Sequence, residues 1–321
     1  MSAEHRPAAS TAILLGGGVR EALMAQPVIR ACEGAEVFAS VEAMGTLLGL
    51  PAVGRTVVFG ASAAETIRIF PRLRTESIAT IVVPHPGRLI HAALAYFSAI
   101  PRRLVVAGPN DWAATERLQR INGQHPVEAN WHLAVAATNR PARMPGDPPR
   151  LQPPDAVRKT VMSRWSGFFG TGRRPLLLIP AGGGWSSAHA GPLWPAERFA
   201  VVANQAIAER IVILSGTGDE RAVRETRAGI VKPSAIIKVS DLTVEELAAI
   251  SELSLAVVGH DGDALHVAAA AGAQVIAVAR RPDIPPMGER VLTCWVDDYE
   301  RFPARPVMEA LSRQARVDTY A

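Results

Sequence analysis

The chain has 321 residues, 48% of them hydrophobic and 20% charged, about twice the length of a usual single domain and well away from the composition of disordered chains. Lys and Arg outnumber Asp and Glu by 34 to 30, a net charge of +4. That excludes a lone small module and gives no case for a nucleic-acid binder, while an anionic small ligand or an acidic membrane surface would suit it.

Residues 1–10 are polar with no apolar run, so they read as a flexible arm and not as a secretory signal. From there to residue 140 short apolar runs alternate with helical patterns. Strands are expected over 12–15, 36–40, 56–59, 78–83 and 103–107, with a helix over 21–31 whose apolar face is Leu23, Met24, Val28 and Ala31. Pro27 must kink that helix or lie where its missing N–H does no harm. Residues 141–154 are rich in proline and lose their periodicity, which marks a linker. A helix over 155–169 then leads into strands at 176–180, 210–215, 235–239, 255–258, 274–279 and 291–294. Phe199, Val202, Ala203, Ala206 and Ile207 make one amphipathic face, and Thr243 with Glu246 makes a capping box. Residues 303–321 hold a last helix, expected to pack back on the first domain.

This rhythm is that of two parallel α/β domains, 11–140 and 155–302, with a ligand expected in a cleft between them at the carboxyl ends of the strands. Cys32 and Cys294 have no disulfide or zinc spacing and read as buried thiols of a reducing cytosol. The longest uncharged, mostly apolar stretch, 264–279, is shorter than the ~18 residues a membrane span needs.

Four strand ends carry candidate chemistry. Gly16, Gly17 and Gly18 follow the first strand and open the first helix, where glycines let a ligand approach and the helix start favours anions. The full dinucleotide spacing is absent, because its third glycine falls on Glu21. That carboxylate reads either as a general base or as a complement to the helix dipole. Gly182, Gly183, Gly184, Ser186 and Ser187 form a second glycine-rich loop, suited to a phosphate or simply a loop, and Trp194-Pro195 follows as a helix-start motif. At Gly216-Thr217-Gly218-Asp219-Glu220 either acid could bind ribose hydroxyls, or Asp219 could cap the next helix. In the run from Gly259 to His266, Asp261 and Asp263 lack the partners and spacing of a metal loop, and His266 reads as a structural histidine or as a phosphate or sugar contact.

Taken in order, these segments resemble glycosyltransferase family 9, the ADP-heptose:lipopolysaccharide heptosyltransferases. The likeness is strongest over 176–285: the strand ending in Pro180-Ala181, Trp194-Pro195 with Glu197-Arg198-Phe199, Gly216 to Asp219, Asp241-Leu242 with Glu246-Leu247, and Asp261 to His266 followed by Ala268-Ala269-Ala270 and Gly272. In the first half it rests on Gln26 to Arg30, Gly87-Arg88-Leu89, Pro101-Arg102-Arg103 and His125-Pro126-Val127-Glu128. The sequence departs from the family in placing Arg20-Glu21 where Gly-Asp is usual, Pro192 where a Lys or Arg stands, and Asp263 after Gly262 in the turn that follows Asp261.

The resemblance implies a GT-B fold of two Rossmann-like domains and inverting sugar transfer, heptose or a related sugar, to lipopolysaccharide or another anionic glycan or glycolipid. The donor is a nucleotide sugar, foremost an ADP-sugar, bound as substrate with no cofactor and no metal. It further implies a cytoplasmic protein with peripheral contact at the inner membrane and no nucleic-acid partner. On this reading Glu21 is the catalytic base. Gly182, Gly183, Ser186, Ser187, Gly216, Asp219, Glu220, Asp261, Gly262, Asp263, His266 and Arg280 hold the donor, with Arg280 or Arg281 replacing the cation lost at Pro192. Gly17, Gly18, Arg88, Arg102 and Arg103 face the acceptor, and Arg68, Arg72 and Arg74 extend that anion-facing cluster. The alternatives are a catalytically impaired relative that binds nucleotide or scaffolds, and a sugar-nucleotide epimerase.

Overall fold

The computed structural model describes residues 10–319 apart from 48–49, 51–52, 61, 76–77, 86–88, 122, 140–146, 170–173, 186–192 and 282, with only the backbone of Ser10, of Thr75 and of 314–319. The chain divides into two compact units, Met1–Pro149 and Arg150–Ala321.

In the first unit six strands form one sheet: β1 (Ser10–Leu15), β2 (Ala35–Ser40), β3 (Val53–Phe59), β4 (Ile78–Val83), β5 (Arg102–Val106) and β6 (Glu116–Leu118), in the order β3-β2-β1-β4-β5-β6. The second unit repeats the plan with β7 (Leu176–Ile179), β8 (Ile211–Ser215), β9 (Ser234–Lys238), β10 (Ala256–His260), β11 (Val275–Ala279) and β12 (Val291–Trp295), ordered β12-β11-β10-β7-β8-β9. Every pairing in both sheets is parallel. Numbered within its unit, each sheet has the strand order 3-2-1-4-5-6 of a Rossmann fold, so the GT-B expectation of two such domains holds.

The sequence explains which strands lie inside. β7, β10 and β11 are nearly unbroken Leu, Ile, Val and Ala, and every residue in them is buried, as central strands covered on both faces must be. The edge strands β3, β9 and β12 are partly exposed and carry polar residues such as Arg55, Lys238 and Thr293, which discourage pairing with another chain. β6 was not foreseen; three residues reading Glu-Arg-Leu carry no strand pattern.

The first predicted helix is two, Val19–Met24 and Gln26–Ala31, with Pro27 in the opening turn of the second, where its missing N–H is harmless. The helix Ala196–Gln205 ends before Ala206, so Ile207 lies beyond it, 76% exposed, and not on its buried face. The capping box is formed: Glu246 N–H donates to Thr243 Oγ1 at 3.2 Å and Thr243 N–H to Glu246 Oε2 at 2.9 Å. The last helix, Arg305–Thr319, gives Val307, Ala310 and Leu311 to the core of the second unit.

Candidate functional site

In a sheet of this order the chain leaves the first and fourth strands in opposite directions, which opens a crevice outside their carboxyl ends. The place to look is therefore after β7 and β10 in the second unit, and after β1 and β4 in the first.

After β7, Gly182 and Gly183 have φ of +94° and +63°, which a side chain would strain. Two more loops lie directly on this one. A Cβ added at Gly216 would come 2.5 Å from Gly184 N, and one at Gly262 would run into Gly182 O. Asp219 fastens the pile: it is 2% exposed, and its Oδ2 accepts the N–H of Gly216 at 2.9 Å and of Gly183 at 3.1 Å. Asp219 is the N-cap residue of the helix Glu220–Ala228, as one of the two sequence readings has it, but its side chain does not bond that helix's N–H groups. Its carboxylate ties two glycine loops together. Thr217 adds two bonds, N–H to Gly184 O at 3.0 Å and Oγ1 to Trp185 O at 2.8 Å, while Trp185 Nε1 donates to Leu242 O at 3.1 Å. Glu220 starts the next helix and is exposed. Ser186, Ser187 and Pro192 lie outside the described residues.

After β10, Asp261 is buried and bridges two segments. Oδ1 lies 2.9 Å from His266 Nε2, and Oδ2 accepts the N–H of Ile284 at 3.1 Å. His266 Nε2 also lies 3.1 Å from Ile284 O, so it faces two acceptors and carries the ring proton. The pair acts as a clasp on the loop after β11, and the structural reading of His266 accounts for these bonds. That loop is clasped again by Asp283, whose Oδ2 accepts from Arg280 N–H at 2.7 Å and from the Tyr299 hydroxyl. Burial, and then this bond to a carboxylate, push the Tyr299 phenol above its ordinary range. The Arg280 guanidinium lies 5.8 Å over the Tyr299 ring, and Arg281 lies 5.3 Å over Trp295. Gly262 precedes the helix Asp263–Ala270, and Asp263 is its first residue.

Trp194 is an anchor of the core. It is 1% exposed, its N–H donates to His260 Nε2 at 2.7 Å, and its Nε1 donates to Phe302 O at 2.8 Å. His260, buried beneath the β10 turn against Phe199 and Tyr299, was not singled out in the sequence.

In the first unit the Glu21 side chain curls back on its own loop. Oε2 accepts Gly18 N–H at 3.0 Å, and Oε1 lies 3.6 Å from Arg20. Gly17 O accepts from Ser40 Oγ at 2.8 Å, and a Cβ at Gly16 would run into the buried His91 ring. Near the ends of β4 and β5 a cavity of about 170 Å³ is lined by His85, Gly108, Arg120, Pro126 and Asn130 among others. Burial holds the His85 imidazole below its ordinary value; the charges of Arg20 and Arg120 add to this, and that of Glu21 opposes it. Asn130, 3% exposed, donates to Met24 O at 3.0 Å. Sequence reasoning missed His85 and Arg120, although the strand-order rule points to whatever follows β4.

Arg102 and Arg103 do not join this site. They open β5, and Arg103 is in register with Ile81 of β4, itself level with Ala12 of β1. Gly16 is four residues further on, about 13 Å along the strand direction. Arg102 forks onto Glu116 at 2.6 and 3.0 Å and bonds Ala136 O at 2.7 Å; Arg103 bonds Ala113 O and Ile100 O, each at 2.7 Å. Arg72 pairs with Glu36 at 2.9 Å and Arg74 lies over Phe70. Arg88 lies outside the described residues. Among the described residues no group of three His, Cys, Asp or Glu could hold a metal ion, and no helix is long and apolar enough to cross a membrane.

Three solved structures share this arrangement. A glycosyl transferase family 9 protein from Veillonella parvula is 12% identical, with a TM-score of 0.80 over 96% of this chain and 97% of its own. ADP-heptose lps heptosyltransferase II of E. coli is 18% identical, with a TM-score of 0.78 over 97% and 99%. E. coli heptosyltransferase WaaC with ADP is 16% identical, with a TM-score of 0.71 over 95% and 100%. At such identities these likenesses speak for the fold alone. No curated protein matches the sequence. The family model for glycosyltransferase family 9 (heptosyltransferase), by contrast, matches residues 67–310. That span runs from the middle of the connection between β3 and β4 through the three stacked loops and both clasps on the β11 loop, and the chain therefore belongs to glycosyltransferase family 9.

Proposed function

We propose that the protein is an inverting glycosyltransferase that moves heptose or a related sugar from an ADP-sugar onto an anionic glycan or glycolipid. The observation that carries this is the stack of glycine loops after β7, β8 and β10 in a chain of this family. It lets a flat or diphosphate group come close to the main chain at the Rossmann crevice. ADP as the nucleotude part is supported by the similar WaaC structures, which hold ADP and ADP-2-deoxy-2-fluoro heptose.

In the proposed reaction Glu21 takes the proton of the acceptor hydroxyl, the freed oxygen attacks the anomeric carbon, and the nucleoside diphosphate leaves. Arg280 or Arg281 supplies positive charge to the leaving group where Pro192 cannot. Lipopolysaccharide as acceptor and a cytoplasmic location are part of the same proposal. A binding or scaffolding role is the second reading, favoured by the engagement of both Glu21 oxygens, one by Gly18 N–H and the other by Arg20.

Calorimetry with ADP, UDP and GDP, with and without magnesium, tests the proposal. ADP is expected to bind, and no binding of any nucleotide at about 1 mM would overturn it. Glu21→Gln is expected to abolish turnover and spare donor affinity. An unchanged rate in that variant would remove Glu21 from the mechanism.

A further inference from the structure

The cavity near the ends of β4 and β5 lies wholly within the first unit, and strand register explains its place. Ile13 of β1 is level with Val82 of β4, and Val83 of β4 with Val105 of β5. Continued past the strand ends, this register sets His85 between Gly16 on one side and Ala107 on the other. Asn130, in the second turn of the helix Pro126–Thr138, completes the wall.

Asn130 is 3% exposed, and its amide is used at one end only. Nδ2 donates to Met24 O at 3.0 Å, which fixes the orientation of the amide, because a carbonyl cannot donate. Among the described residues Oδ1 meets no donor. A buried acceptor without a donor is costly, so this oxygen marks a place that the O–H or N–H of a ligand completes. Met24 closes the helix that carries Glu21, so the side chain facing the cavity also holds the helix of the proposed base.

The walls say what enters. Pro84, Pro109 and Pro126 offer apolar faces on which the C–H side of a ring packs. An oxyanion beside Asn130 Oδ1 would meet lone pairs and be repelled, whereas a hydroxyl donates to them. Burial keeps the His85 imidazole uncharged near neutral pH, so it offers one donor and one acceptor, the complement of a second hydroxyl. Arg120 is the exposed member of the lining. The volume of about 170 Å³ is room for about six waters at roughly 30 Å³ each, which suits one ring and not a chain of them.

We propose that this cavity is a subsite for an uncharged, hydroxyl-bearing sugar ring, with one hydroxyl donating to Asn130 Oδ1 and another paired with His85. Naming that ring as the accepting end of the acceptor rests on the transferase reading; the site itself stands on the cavity and its orphaned amide oxygen. The negative charge of an anionic acceptor then lies on its other parts, outside the cavity.

The experiment is proton NMR of the full chain, whose eight histidines give few ring signals. His85 is identified by the signal that His85→Gln lacks. Methyl mannoside is added up to about 50 mM at constant pH, with inorganic phosphate in a parallel series. The sugar is expected to shift the His85 signal to saturation, and phosphate to leave it in place. Asn130→Ala should weaken the sugar about tenfold, the loss of one hydrogen bond. Because that variant also strips Met24 O of its donor, Ala129→Leu, which fills the cavity, is the second test and should abolish the shift; thermal melting checks the folding of both. No saturable shift with the sugar, a larger shift with phosphate, or unchanged affinity in a folded variant would overturn the proposal. The probe needs no donor, so the two readings fail separately: a saturable sugar shift without nucleotide binding strikes the transferase reading alone, and nucleotide binding without a sugar shift strikes this site alone.

Discussion

Asp219→Ala separates a carboxylate that holds the fold from one that holds a ligand. In the structure one oxygen accepts two main-chain N–H groups, at 2.9 and 3.1 Å, on a residue 2% exposed. Hydrogen bonds to a charged group contribute roughly 1.5–3 kcal/mol each, and truncation leaves both donors buried without an acceptor, so about 3–5 kcal/mol of stability should be lost. Asp219→Asn retains an acceptor oxygen and should recover part of the loss. Urea denaturation followed by tryptophan fluorescence measures it, with Trp185 reporting from the adjoining loop. A ribose-binding carboxylate would behave in the opposite way: nucleotide affinity would fall and the midpoint would stay. A loss of less than about 1 kcal/mol in Asp219→Ala would refute the tie as the element that holds the loops.

Two further outcomes follow from perturbed groups. His85 titrates below its ordinary value of 6.5 in the folded protein, so just under that value the unfolded chain binds a proton that the folded chain refuses. Stability should therefore fall as the pH drops through and below this range, and His85→Asn should flatten that slope in melting curves taken between about pH 5 and 7; an equal slope in the variant would rule His85 out as its source. Cys32 is buried and its thiol is pushed up to about 11, whereas Cys294 is half-buried. A thiol reagent near neutral pH should label Cys294 first and Cys32 only on unfolding, and equal labelling rates would contradict the burial.

The strands were largely readable from sequence because β7 and β11 are apolar from end to end and β10 is so up to Gly259 and His260, a pattern that in runs so short fits a strand covered on both faces. The glycine loops were readable as loops for a similar reason, since Gly-Gly and Gly-x-Gly at a strand end leave few other conformations. Their acids were harder. Asp219, directly after Gly218 of a glycine turn, has the same letters around it whether or not its carboxylate ties two backbone N–H groups; only the third dimension, which brings Gly183 alongside Gly216, shows that it does. Arg102 and Arg103 mislead in a different way. Sequence shows that they adjoin a strand, but which edge of the sheet they occupy depends on chain direction and register with β4. His85 went unnoticed because it has no motif around it, and its place follows from β4 lying next to β1.

The meeting of Gly182 with Gly262 and of Gly184 with Gly216 brings three backbones into contact in the floor after β7. Peptide groups are the same in every protein, so a diphosphate donor of the kind proposed would meet at such a floor what all diphosphates share and nothing that tells them apart. It also resists change one residue at a time, because a methyl group added at Gly216 or Gly262 displaces a neighbouring loop. Discrimination between ligands must then be written by the side chains around the floor, such as Glu220, Asp263 and the residues after β11. A library built to alter specificity should vary those positions and leave the three touching backbones alone.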